Sequence, residues 1–282
     1  MIEIQVNGLV KSFEVGHNIL DGITFQIDQG QRVGLLGKNG AGKSTLLCIL
    51  TGVMDYDEGE VVIAPGRRMG LISQIPVYPA GYTVDDVLRS AFGRLHALAA
   101  EMEELAGRMA AGETAPALLK RYGSLSERFE VFGGYDTDVA ISKVANGLSI
   151  SGDMRGRLFD QLSGGEKTRV NLGRLILEDT DILLLDEAFS ALDYQTRLNV
   201  TDDVYRILKR EQVTTLMVTH DIPESISMGD KILVLSARPA QVKEILSVDF
   251  GPGRSPLSCR ANRQFGPYFD HIWKELSTDE KS

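Results

Sequence analysis

The stretch 37–45, GKNGAGKST, places three glycines, a lysine and a serine in the order G-x-x-x-x-G-K-[ST]. It follows the apolar run VGLL and precedes the helical KSTLLCILTG, the strand–loop–helix setting that a phosphate loop requires. Gly37, Gly40 and Gly42 let the backbone curl around phosphate oxygens, Lys43 neutralises the outer phosphates and Ser44 ligates Mg²⁺. Asn39 and Thr45 complete the nucleotide-binding stretch. Average composition yields this string by accident in roughly one chain in a hundred, and its flanks lower that further.

A phosphate loop needs a second arm. The run ILLLDE supplies it: four apolar residues bury a strand that delivers Asp186 toward Mg²⁺ and Glu187 toward an attacking water, as general base. His220 ends the run TTLMVTH, where it holds the γ-phosphate and that water. Residues 162–169, LSGGEKTR, make a second serine–glycine turn at the start of a helix, again presenting backbone N–H groups to an anion.

These residues need a scaffold, and the rest of the chain describes one. Short β-type runs (IEIQV, TFQI, RVGLLG, EVVI) surround one helix in the first third. From Val84 to Val131 the pattern turns helical, with Thr83 and Asp86 spaced as a capping box. After Leu162, helices alternate with ILLLD, TTLMVT and KILVLS; continuous apolar strands in that order imply a buried parallel sheet with helices on both faces. The last segment opens on Gly and Pro breaks. It closes on a short amphipathic helix carrying Phe269, Ile272, Trp273 and Leu276, expected to dock on its own domain.

The 282 residues carry a formal charge of −9, which disfavours generic adhesion to nucleic acid. No apolar run approaches the roughly 18–20 residues that cross a bilayer, so a membrane role comes through a partner. The first residues read as a strand and not as a secretion signal. Cys48 and Cys259 give neither metal spacing nor a disulfide framework, which fits a reducing cytosol.

In this order, GKNGAGKST, LSGGEKTR and ILLLDE resemble the ATP-binding cassette (ABC) family over nearly the whole chain. The resemblance implies an α/β fold: a P-loop NTPase (RecA-like) core with an N-terminal antiparallel β subdomain and an α-helical subdomain. It implies ATP and Mg²⁺, and a head-to-tail dimer with itself or a second cassette. In that dimer Ser163, Gly164 and Gly165 close over the nucleotide of the other copy. Gln74, ending GLISQ, looks like the residue that senses Mg²⁺, joins the catalytic set and relays to a partner. Asp193 in SALD matches the D-loop, and Phe13 sits where an aromatic residue stacks on adenine, with a half-buried strand residue as the plainer alternative. The sequence departs from the pattern twice. Ala188 stands where proline is common, which loosens the turn holding the base, and Glu166 replaces a common glutamine.

Domain boundaries on this reading are 1–248 for the nucleotide-binding domain, with a helical subdomain and arm-like insert at about 83–175, and 249–282 for the tail. The stretches DEAFSALDYQTR and VTHDIPESISMGDKILVLSARPAQV, with the ending FDHIWKEL, look like the ATPase subunits of bacterial importers for nitrate, taurine and aliphatic sulfonates. That likeness implies transmembrane permease subunits as partners and a cytoplasmic, peripheral position on the inner face of the membrane. By contrast, HNILDGITFQI, RFEVFGGYDTD and the longer spacing between Gln74 and Leu162 resemble the first cassette of the ABC-F proteins, soluble ATPases that act on ribosomes. Between Arg94 and Val131, however, Arg94, Arg108, Lys120, Arg121 and Arg128 face Glu101, Glu103, Glu104, Glu113, Glu127 and Glu130, giving little drive toward RNA. The importer subunit is therefore the favoured expectation, with the ribosomal ATPase and a nucleotide-gated binding module of little turnover as alternatives.

Overall fold

Apolar residues at every second position bury one face of the first strands. β1 (Ile2–Glu14) contributes Ile4 and Val6, and β2 (His17–Asp28) contributes Ile23, Phe25 and Ile27. Both pair antiparallel, and β4 (Glu58–Ile63) joins on the far side of β1, making a three-stranded sheet ordered β2-β1-β4. The computed structural model describes residues 1–14, 16–72, 78–113, 115–178, 180–190, 192–251 and 253–277.

Between those strands, β3 (Arg32–Leu36) leads through the glycine-rich loop into α1 (Lys43–Leu50). β5 (Met69–Ile72), β6 (Ile182–Asp186), β7 (Thr214–Thr219), β8 (Lys231–Leu235) and β9 (Val242–Ser247) complete a six-stranded sheet ordered β5-β6-β7-β3-β8-β9. All its pairings are parallel except β8 with β9. Every residue of β7 and four of the five in β6 are buried, the mark of strands covered on both faces. Each such Leu, Ile or Val contributes about 1.5–3 kcal/mol.

Helices supply the cover. On one side Leu46, Leu47, Ile49 and Leu50 of α1 share a core with Leu35, Leu184, Leu216 and the apolar face of β2. On the other, α9 (Ile222–Met228) and α11 (Phe265–Ser277) pack Ile222, Ile226 and Ile272 against Leu36, Ile232 and Val234. A Cβ on Gly34 would meet Ser225 Oγ at 2.1 Å, so only glycine lets β3 and α9 approach so closely. The remaining helices here are α8 (Tyr194–Arg210) and α10 (Pro256–Arg260). The closing helix docks through Ile272 as expected, but Trp273 does not: it stays 59% exposed and stacks on Phe269 at 6.1 Å. The antiparallel edge β9 and helix α10 are additions to the sequence-based expectation.

These elements make one compact unit, Met1–Pro76 with Asp179–Ser282; a second unit is Val77–Glu178. The second unit is helical. α2 (Val84–Arg89) carries the expected capping box of Thr83 and Asp86. α3 (Gly93–Ala110) and α4 (Pro116–Val131) form a hairpin with its own apolar seam of Leu95, Leu98, Leu105, Leu118 and Leu125. Its charges neutralise one another locally: Arg108 pairs with Glu113 at 2.6 Å, and Arg121 with Glu101. α5 (Thr137–Gly147) and α6 (Gly152–Arg155) follow, and then α7 (Gly164–Leu177), against which Leu88 and Leu148 pack at Gly173.

Candidate functional site

The loop between β3 and α1 closes on its own lysine. Gly42 caps α1 with a left-handed φ of 95°, where a Cβ would stand 2.8 Å from Ile19 Cγ2 and Leu20 Cδ2. Lys43, only 7% exposed, folds back and donates from Nζ to the carbonyls of Gly37 at 2.7 Å and Lys38 at 3.0 Å. Burial lowers the pKa of its ammonium, against the pull of Glu187 and Asp186, which favours the charged form. The result is a buried cation at the floor of a loop whose N–H groups cap no side chain of their own.

The second arm arrives on β6. Ser44 Oγ donates to Asp186 Oδ2 at 3.2 Å, bringing the hydroxyl and the carboxylate together at the end of the loop. Burial raises the Asp186 pKa; the Ser44 hydrogen bond opposes it, Glu187 adds to it and Lys43 opposes it. Two oxygen ligands suit Mg²⁺, which keeps most of its shell as water and substrate phosphate and rarely uses an all-protein cage.

Glu187 stands one residue past the strand with φ 49°. Its N–H donates to Val218 O at 2.9 Å, and its carbonyl accepts from Ser190 N at 3.0 Å and Ser190 Oγ at 2.8 Å. The turn that Ala188 was expected to loosen is thus closed by Ser190, a residue the sequence reading passed over. A proline at 188 would steer the residue before it toward extended backbone, away from the conformation seen here. His220, just past β7 and 57% exposed on its side chain, brings Nδ1 to 3.1 Å from Glu187 Oε1.

Behind His220 lies a buried acid. Glu224 accepts a hydrogen bond from Thr219 Oγ1 at 2.6 Å, and its pKa is pushed up to about 7 by burial, against that hydrogen bond. Asp221 N donates in turn to Thr219 Oγ1 at 3.1 Å. Arg197 of α8 ties the neighbouring loops together: it donates to Leu192 O at 2.9 Å, Ser190 O at 3.2 Å and Asp221 Oδ2 at 3.1 Å. Asp193 caps α8, accepting from Thr196 N at 3.0 Å, and its pKa is lowered by hydrogen bonds from the Thr196 side chain first and the Thr196 N–H second.

Two open clefts result. The first, about 480 Å³, is lined by Asn39, Gly40, Gly42, Lys43, Ser44, Thr45, Asp186 and Glu187, together with Ser190 and Arg238. The second, about 620 Å³, holds Phe13, 62% exposed, with His17, Asn18 and Ile19. Gly37 lies beneath the first as the carbonyl that holds Lys43. Gln74 lies outside the described residues. Ser163, Gly164 and Gly165 stand in the second unit, at the start of α7. There Ser163 Oγ accepts from Glu166 N at 3.4 Å while Ser163 N donates to the Glu166 carboxylate at 2.8 Å. Glu166 also pairs with Arg157 at 2.8 Å, and the Ser163 N–H leads the effects that hold its pKa low.

Comparison with known proteins gives the family and the fold. The family described as ABC transporter matches residues 20–190, more than half of the chain. The uncharacterized ABC transporter ATP-binding protein YfmM of Bacillus subtilis is 35% identical over 73% of this chain, which spans only 39% of that relative's length. The aliphatic sulfonates import ATP-binding protein SsuB 1 of Nocardia farcinica is 33% identical over 83% of this chain and 78% of its own. Among solved structures, an ATP-binding subunit of an ABC transporter superposes with a TM-score of 0.63 over 98% of this chain and 99% of its own, at 21% identity, a likeness of fold.

Proposed function

We propose a function from the premise that the chain belongs to the ABC transporter family: it binds ATP with Mg²⁺ and hydrolyses it as the motor subunit of a bacterial importer of small anionic solutes, of the nitrate, taurine or sulfonate kind. One observation carries this reading. The Ser44–Asp186 pair and the Glu187 side chain, with His220 against it, meet at the cleft that the 37–45 loop floors.

The residues divide the work. Loop N–H groups and Lys43 bind the outer phosphates, and Phe13 stacks on the base. Ser44 and Asp186 hold Mg²⁺, which when bound neutralises phosphate charge. Glu187 takes the proton of the attacking water, and His220, with its proton on Nδ1, donates to Glu187 and orients it. Ser163 and Gly165 of a second copy cover the open side of the triphosphate, excluding water and strengthening each electrostatic contact. Asp193 lies along the same junction between copies. The nucleotide therefore draws two cassettes together, and hydrolysis lets them part, moving a permease on the inner face of the membrane. No helix among the described residues is long and apolar enough to cross a membrane. The importer assignment is supported by the likeness to the sulfonate importer subunit over most of both chains.

The direct test is Glu187→Gln, expected to retain ATP and accumulate closed dimers with turnover reduced at least about 10²-fold. Normal hydrolysis by that variant removes Glu187 from the base role. A second reading is favoured by the α3–α4 hairpin with its separate apolar seam: an arm of a ribosome-associated ATPase. Fractionation decides between them. Recovery with a membrane permease in detergent extracts supports the importer, and ATP-dependent recovery with ribosomes supports the other. Steady ATP hydrolysis by the unmodified chain excludes a gated module without turnover.

A further inference from the structure

The turn between β8 and β9 carries the SARPAQV stretch, which neither phosphate binding nor proton transfer has used so far. Its backbone is clamped. Ser236 N donates to Gln241 O at 3.0 Å, and Gln241 N to Ser236 Oγ at 2.9 Å. It is also stitched to β2: Ala240 N donates to Ile19 O at 2.8 Å, Asp21 N to Ala240 O at 2.9 Å, and Gln241 Nε2 to Asp21 Oδ2 at 2.8 Å.

What this fixed turn presents is Arg238. The residue is exposed, and its guanidinium makes no hydrogen bond or ion pair with a described residue. It lines both clefts, the one with Lys43, Ser44 and Asp186 and the one with Phe13 and His17, so it stands where they meet. A nucleotide whose base lies on Phe13 and whose outer phosphates lie in the 37–45 loop runs past that junction. What it carries there is the ribose and the phosphate joined to it. Of those two groups only the phosphate is an anion, and its oxygens match the planar donor fork of arginine. Lys43, the other Lys or Arg lining either cleft, is turned toward the Gly37 and Lys38 carbonyls.

We infer that Arg238 binds the α-phosphate of the nucleotide and so joins the base cleft to the phosphate cleft; this rests on the nucleotide reading above. The test is calorimetric titration of the full chain with ADP and, by displacement, with AMP. Arg238→Ala is expected to weaken both by the same factor, about tenfold, in line with the loss of a charge-assisted hydrogen bond. Arg238→Lys is expected to lose less, and unchanged melting without nucleotide reports an intact fold. ADP affinity equal to the parent's in Arg238→Ala overturns the assignment. So does a loss for ADP with AMP unaffected, which would move the contact to the outer phosphates. Lys43→Ala in the same assay separates the two levels. If it weakens ADP while Arg238→Ala does not, only the Arg238 assignment falls; if the parent binds no ADP, the nucleotide reading itself falls.

Discussion

Two helices in this molecule begin at glycine-rich turns suited to anions, and they begin differently. α1 is capped by Gly42, with no side chain on its first N–H groups. α7 is capped by Ser163 and closed by Glu166, whose carboxylate accepts the Ser163 N–H. The first turn therefore has no side-chain acceptor on its capping N–H groups above a buried lysine, whereas at the second the N–H groups of Ser163 and Glu166 are taken by the capping box and a negative charge stands beside them. On the function proposed above, this difference sets an order of events: the 37–45 loop takes the nucleotide alone, and the serine–glycine turn engages when a phosphate held by another copy competes with Glu166.

The comparison breaks most severely at Gly42. Gly42→Ala puts a Cβ into Ile19 and Leu20 at a φ of 95°, and should lower ADP affinity at least about 10²-fold and melting by several degrees. Normal ADP titration and melting would show that the loop tolerates other geometry. Ser163→Arg attacks the other turn. It should leave single-copy nucleotide affinity in place while abolishing ATP-dependent dimers in sedimentation and lowering turnover about 10²-fold; an active, dimerising variant contradicts the contact between copies.

Glu224 sharpens the comparison from behind His220. Its folded pKa, about 7, lies above the ordinary carboxylate value of 4.5, so the neutral acid stabilises the fold fully below pH 4.5 and that contribution is lost as pH rises through 7. Over that window the parent should lose up to roughly 3 kcal/mol relative to Glu224→Gln, read from paired denaturation curves. Parallel curves would place no titration at this residue. The smallest effect is expected from Glu166→Gln, which removes the charge at the second turn and should raise closed-dimer formation a few-fold, more at low salt than at high.

Much of the first half-site was legible because its demands are local. A phosphate loop needs its glycines and lysine within nine consecutive positions, and a buried strand ending in two acids announces itself by composition. The Thr83–Asp86 capping box was legible for the same reason. Arg238 was not, since its importance comes from a turn bound to β2, far away in the sequence. Ser190 was missed because its work is to hold a backbone carbonyl of Glu187, which no side-chain pattern advertises. β9, VKEILS, has no fully buried residue, which suits an edge strand but resembles a loop when read alone. At the second turn the serine and glycines were visible, while the Ser163–Glu166 capping box, as local as that of Thr83 and Asp86, was passed over.

The claim on which the rest depends is that one copy holds half a catalytic site. It is tested by the ATP hydrolysis rate per chain, followed as the protein is diluted at saturating ATP and Mg²⁺. The rate per chain should fall steeply as pairs separate, with a second-order dependence at the lowest concentrations. A rate per chain that stays constant at dilutions where sedimentation finds single copies only would contradict it.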